Sequence, residues 1–138
     1  MKTIDDFNFN KKTVLLRIDV NASLKNGKPE MNEKFVRHAK TIKELLRKKA
    51  KVVILAHQSR PGREDFTSLK SHARLLSKLV KVKFVDDVFG NKAVEKIKSL
   101  KPGEALMLEN VRSVKEEYQK FKNNKMVNVL AGLADIYV

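Results

Sequence analysis

The chain contains no cysteine. Disulfides and cysteine-bound metals are therefore excluded. No apolar run approaches the roughly 20 residues that a membrane-spanning helix needs. The amino terminus, Met1-Lys2-Thr3-Ile4-Asp5-Asp6, lacks the apolar block of a secretory signal. Glycine is scarce, and Gly27, Gly62, Gly90, Gly103 and Gly132 stand singly. Neither the P-loop spacing nor the G-x-G-x-x-G fingerprint can be built from them, so nothing here cradles a nucleotide triphosphate. The G-x-S-x-G elbow of serine hydrolases is missing too. The three histidines are far apart, and no H-E-x-x-H or similar metal spacing occurs. Aromatic residues make up 7% and are mostly Phe at core spacing, which offers bases no stacking platform. A cytoplasmic protein is the simplest expectation. Abundant lysine without cysteine is compatible with a thermophilic source.

Charge is what the chain has in excess. Its 138 residues suffice for one domain with its own core, and 42% are apolar, an ordinary share. The formal net charge is +14. Residues 34–83 hold fifteen Lys and Arg against three acids, a net of +12, while the rest is nearly balanced. A localised basic half suits nucleic acid, an anionic surface or a phosphorylated metabolite. The plainer reading of most of these lysines is a solvated helix surface.

Hydrophobic periodicity alternates between two and 3.6 residues along the chain. Thr13–Val20 (TVLLRIDV), Val52–Ala56 (VVILA), Val82–Val85, Ala105–Leu108 (ALML) and Ile136-Tyr137-Val138 read as strands. Asn26-Gly27-Lys28-Pro29 reads as a turn. Between the strands lie four helical patterns. The first is capped by Asn32 and runs from Glu33 to about Lys49, with Phe35, Ala39, Ile42, Leu45 and Leu46 inward. The second is capped by Thr67 or Ser68 and runs to about Val80, with Leu69, Ala73, Leu76 and Val80 inward. Asn91–Leu100 and Lys115–Leu133 complete the set, the last with Phe121, Met126, Val129, Leu130 and Leu133 as its apolar positions. Alternating β and α elements imply α/β architecture: a Rossmann-like, three-layer α/β/α fold around a parallel sheet. The last strand has no helix after it, so the fold is expected to be cut short in or near that strand.

Three strands end in polar clusters: Asp19-Val20-Asn21, His57-Gln58-Ser59-Arg60-Pro61 and Glu109-Asn110-Val111-Arg112. The carboxyl ends of parallel strands open onto one crevice, and ligands bind there. Asp19 and Asn21 alternate onto one side of the chain and suit hydrogen bonds to hydroxyls and a carboxylate. Equally, Asp and Asn are ordinary turn residues at strand exits. Arg60 offers five donors in a fork that matches phosphate oxygens. His57 can donate to an anion or act as an acid or base. The structural alternative for this pair is a surface arginine beside a packed histidine. Arg112 is expected at the same crevice as Arg60, with Glu109 pairing to an arginine and holding it. Arg17, inside the first strand, is expected to pair with a carboxylate, because an unpaired buried charge is costly.

In this order, the segments TVLLRIDVN (13–21), AKVVILAHQSRPG (50–62), VKFVDDVFG (82–90) and LKPGEALMLENVR (100–112) resemble phosphoglycerate kinase. HQSRPG looks like the archaeal form of that family's histidine–arginine loop. The resemblance runs from about Ile4 to Val138 and covers the family's N-terminal, substrate-binding domain. It implies half of a two-domain glycolytic enzyme. That enzyme moves a phosphoryl group between 1,3-bisphosphoglycerate and ADP, giving 3-phosphoglycerate and ATP with magnesium. The nucleotide, as Mg-ATP or Mg-ADP, belongs to a C-terminal domain supplied in cis or as a separate chain. None is expected on this chain alone, nor is a metal. Carried over by position, Asp19, Val20 and Asn21 contact the hydroxyl and carboxylate end of the substrate. His57, Arg60 and Arg112 bind the non-transferred phosphate, and the backbone from His57 through Gln58 and Ser59 to Arg60 lines the site. Lys34, Arg60 and Arg112 take the catalytic, charge-stabilising roles.

Two positions depart from the family pattern. An arginine near the start of the first helix, seven positions before Thr41-Ile42, is Lys34 here. Lysine keeps the charge but loses the planar fork. The aromatic that commonly follows the E-N-V-R motif is Ser113. Three further readings remain open on sequence alone: one chain of a split enzyme, a homologue that has lost catalysis, and a basic nucleic-acid-binding module on the same fold.

Overall fold

Strict alternation sorts the apolar runs onto two faces of one sheet. In a computed structural model, which describes residues 7–114 and 124–138, the central strands are buried on both sides. These strands are β1 (Thr13–Arg17), β4 (Lys51–Leu55) and β6 (Ala105–Met107). Val14, Leu16, Val52, Ile54, Ala105 and Met107 face one layer, and Leu15, Val53, Leu55 and Leu106 the other. Burial on both faces explains why these strands read as continuous apolar runs rather than as polar–apolar alternation.

Two short strands complete the sheet, β5 (Lys83–Phe84) and β7 (Ile136–Tyr137), in the order β5-β6-β4-β1-β7. Every ladder in it is parallel. Helices α1 (Glu33–Arg47) and α2 (Lys70–Leu76) share a core with Val14, Leu16, Val52 and Ile54. Helices α3 (Asn91–Lys98) and α4 (Lys125–Leu133) pack on the opposite face with Leu15, Val53, Leu55 and Leu106. The result is the three-layer α/β/α arrangement expected from the pattern. The connections leaving β1 and β4 cover one face, and those leaving β5 and β6 cover the other. The strand order therefore switches between β4 and β6, and a doubly wound sheet opens its ligand crevice at such a point.

The boundaries differ from expectation for identifiable reasons. Strand β1 stops at Arg17 instead of Val20; the Ile18 N–H makes a last bond to the Leu55 carbonyl, and from Asn21 onward the backbone bonds to side chains. Arg17 is exposed rather than buried. Asn32 caps α1 as expected, its side chain accepting from the Phe35 N–H at 3.2 Å. The helix ends at Arg47 because Lys49 takes a left-handed backbone, φ 66°. Helix α2 begins later and ends earlier than expected, since the Ser77 hydroxyl donates to the Val82 carbonyl and draws the chain out of the helix. The turn expected over Asn26–Pro29 is narrower: Asn26-Gly27 closes a hairpin of β2 (Leu24–Lys25) and β3 (Lys28–Pro29), so the last two residues are strand. Both turn residues have positive φ, 55° and 75°, as the tight primed turns require. The first turns of the expected last helix, with Phe121, lie outside the described residues.

Gly90 is needed where it stands. A Cβ there would lie 2.7 Å from Asp87 Oδ2, the oxygen that accepts the Ala93 N–H in the first turn of α3. Among the described residues, no helix is long and apolar enough to cross a membrane. Leu106, fully buried in the second core, is a direct probe of this packing. Leu106→Ala is expected to lower stability by about 2–5 kcal/mol, read from the denaturant midpoint at unchanged slope.

Candidate functional site

Strand exits create a bonding problem. Backbone N–H and C=O groups leave the ladder there and need new partners. Three asparagine or glutamine side chains and one glutamate meet that need here. Asn21 Oδ1 accepts the Ser59 N–H at 2.8 Å. Gln58 is fully buried and grips Ala22 at both ends of its amide. Its Oε1 accepts the Ala22 N–H at 2.9 Å and its Nε2 donates to the Ala22 carbonyl at 3.0 Å. Asn110, also buried, donates to the Gln58 and Thr67 carbonyls at 3.0 and 2.9 Å, and its Oδ1 accepts the Arg112 N–H at 3.1 Å. The Val111 N–H donates to the Ala56 carbonyl at 3.1 Å. Segments 19–22, 56–60 and 109–112 are thus tied into one rim at the point where the sheet switches direction.

On this rim Lys34, in the first turn of α1, lies 3.0 Å from Asp19 Oδ2 and donates to the Asn21 carbonyl at 3.4 Å. Partial burial alone would raise the Asp19 pKa. The Lys34 ammonium, the Asn21 N–H and the charge of His57 outweigh it and hold the carboxyl below its usual range. Asp19 is therefore an acceptor at neutral pH, with its charge offset by Lys34. Arg60 is exposed, one residue beyond Ser59, and His57 is half-buried. Arg112 sits in a short 3-10 turn, Val111–Ser113, that Asn110 caps. The two arginines leave from adjacent strand exits that the Asn110 and Val111 bonds hold together.

Some expected site residues stand behind the rim. Val20 is buried in the core, so only its backbone is available to a ligand. The Gln58 side chain is likewise committed, to Ala22 and to His72. Ser59 adopts φ 57°, an unusual conformation for a residue with a side chain, held by the Asn21 bond. Glu109 does not pair with an arginine in the way expected. Its carboxylate accepts the Ser68 hydroxyl at 2.6 Å, the Leu69 N–H at 2.8 Å and the Asn110 N–H at 2.7 Å, and so caps the start of α2 from forty residues away. A groove of about 990 Å³ beyond Glu109 takes in Ser68, Lys70, Phe84, Lys92 and Lys96, and none of the expected site residues.

His72 went unforeseen. It is fully buried on the inner face of α2, with Nε2 2.9 Å from Gln58 Oε1. Its signal in the sequence was position: three residues after Leu69 and four before Leu76, on the apolar stripe, where a polar ring requires a partner. Burial pushes its pKa down from 6.5 to about 4, against smaller upward pulls from the Glu109 carboxylate and the Ser68 backbone.

The fold and rim define a doubly wound α/β domain whose strand-exit loops are tied together at its switch point. The family model of phosphoglycerate kinase matches residues 4–138. The phosphoglycerate kinase of Methanopyrus kandleri is 48% identical over 100% of this chain and 36% of its own length. That of Sulfurisphaera tokodaii is 47% identical over 98% of this chain and 35% of its own length. The crystal structure of phosphoglycerate kinase from Pyrococcus horikoshii superposes with a TM-score of 0.93 at 40% identity, covering 99% of this chain and 36% of that one. The Coxiella burnetii enzyme gives 0.76 at 36% identity, over 97% and 33%. The chain belongs to the phosphoglycerate kinase family. It spans little more than a third of the length of the relatives it matches.

The His72 shift sets a direction for acid stability. Between about pH 6.5 and pH 4 an unfolded histidine takes up a proton that the folded ring refuses. This contribution is complete above about pH 6.5 and is lost toward pH 4, amounting to about 3 kcal/mol. Urea midpoints at pH 7.5 and 4.5 are expected to differ more for the wild type than for His72→Gln.

Proposed function

We propose that this chain, over residues 1–138, is the N-terminal, substrate-binding domain of a phosphoglycerate kinase, binding 3-phosphoglycerate and 1,3-bisphosphoglycerate. The observation that carries the reading is the tied rim: Asn21 to Ser59, Gln58 to Ala22 and Asn110 to Gln58 join three strand exits that bear the cations. Arg60, Arg112 and His57 bind the phosphate that is not transferred. Asp19 and Asn21 orient the hydroxyl and carboxyl end. Lys34, beside Asp19, stabilises charge on the group in flight.

The chemistry is direct in-line transfer between the acyl oxygen of 1,3-bisphosphoglycerate and the terminal oxygen of ADP, with no covalent enzyme intermediate. Such a reaction asks the protein mostly for positioning and electrostatic stabilisation. Fixed cations at the rim supply both for the glycerate substrate. Magnesium would arrive with the nucleotide. This reading assigns the Mg-nucleotide to a second domain, in cis or as a separate chain, in a cytoplasmic enzyme.

Titration of the purified chain with 3-phosphoglycerate, followed by amide chemical shifts, is expected to give saturable changes at residues 19–22, 57–60 and 110–112. Arg60→Ala should weaken binding about tenfold or more, the scale of a lost charge-assisted hydrogen bond. The chain alone is expected to form no ATP from 1,3-bisphosphoglycerate and ADP. Turnover by the pure chain, or silence of those amides, would overturn the reading. In the complete enzyme, Lys34→Arg restores the planar fork and is expected to raise kcat.

A further inference from the structure

We infer that His72 is a positioning residue for the glycerate substrate: through the buried amide of Gln58 it sets the spacing between segments 19–22 and 57–60, and so favours ligands that touch both. This rests on the binding reading above. His72 itself has no solvent-exposed surface and meets no ligand.

The bonding pattern dictates the ring's role. Gln58 Oε1 faces the Ala22 N–H and Gln58 Nε2 faces the Ala22 carbonyl, so the amide can sit only one way round. The ring nitrogen at 2.9 Å from Oε1 must then donate. Nε2 of His72 consequently carries a proton, while Nδ1 makes no well-formed hydrogen bond among the described residues, the Ser68 backbone exerting only a small pull on the ring. The Gln58 carbonyl is meanwhile held by Asn110. With His72 in place, the amide is clamped between α2, the loop after β1 and the loop after β4. Ser59, the next residue, is in a left-handed conformation that needs support, and its N–H bonds to Asn21. Two parallel ties therefore cross the gap, Gln58 to Ala22 and Ser59 to Asn21. The ring donor adds a third bond that braces the first against α2.

Leucine or methionine would fill the same place among Leu69, Ala73 and Leu76 but would leave Oε1 with one donor. The amide would keep its two bonds to Ala22 but lose its anchor on α2, and the two segments would hold their spacing less tightly. A ligand with a carboxylate at one end and a phosphate at the other is sensitive to that loosening, because it must reach both segments. Inorganic phosphate needs only the cationic segment and is not.

The test is a pair of variants and a pair of ligands, titrated at a temperature where circular dichroism shows each protein folded. His72→Met is expected to bind 3-phosphoglycerate about tenfold more weakly than wild type, while inorganic phosphate binds within about twofold. His72→Gln keeps a donor near the position of Nε2 and should bind both ligands within about twofold of wild type. Unchanged 3-phosphoglycerate affinity in His72→Met, or an equal loss of both ligands, overturns the inference and leaves the binding reading intact. A wild-type chain that does not bind 3-phosphoglycerate overturns the binding reading and this inference with it. Should His72→Met fail to fold, the long-range proton–nitrogen spectrum of the wild-type ring decides. An Nε2–H tautomer supports the tie and an Nδ1–H tautomer overturns it.

Discussion

Backbone groups that leave a parallel sheet at its switch point must be bonded by something other than the ladder, and this requirement organises the whole rim. Burying an unpaired N–H or C=O costs about 1–3 kcal/mol, so several such groups in one place would threaten a domain of this size. Gln58, Asn110, Asn21 and Glu109 supply the missing partners. Each bonds backbone on a different segment from its own. The same bonds that satisfy the backbone therefore fix the loops against one another. Stability and rim geometry have a common cause, and the loops at the strand exits cannot easily separate.

Electrostatics follow from this arrangement. Helix α1 and the loops after β4 and β6 each carry cations, and Asp19 is neutralised locally by Lys34. The wider basic character, concentrated in residues 34–83, is carried mainly by the outer surfaces of α1, α2 and their loops. Glu44 pairs with both Arg47 and Lys48 there, but such exposed pairs contribute little.

Much of the architecture was readable from the chain because its signals are local. The runs TVLLR, VVIL and ALM are buried on both faces, and their β-branched and aliphatic content marks them without ambiguity. Asn32 before a helical stripe marks the start of α1, and the structure shows that cap. The misplacements share one origin. Helix α2 begins where Glu109 caps it, and Glu109 is some forty residues away in sequence. The chain beyond strand β1 is held where Gln58, thirty-six residues on, captures Ala22. The hairpin at Asn26-Gly27 was within reach of local rules, since that dipeptide favours positive φ at both positions.

The sequence by itself determined the element types, the two-faced burial of the strands and the polar identity of each strand exit, because these depend on periodicity and residue chemistry within a few positions. It also carried the family's motifs in order. Only the tertiary structure decided which polar residues serve the rim from beneath and which are left to face a ligand. Gln58 and Arg60 are two residues apart, yet one is buried and the other exposed. The left-handed turn at Ser59 and the long-range bonds to Ala22, Asn110 and His72 separate them, and no local pattern encodes partners that lie 14 to 52 residues away.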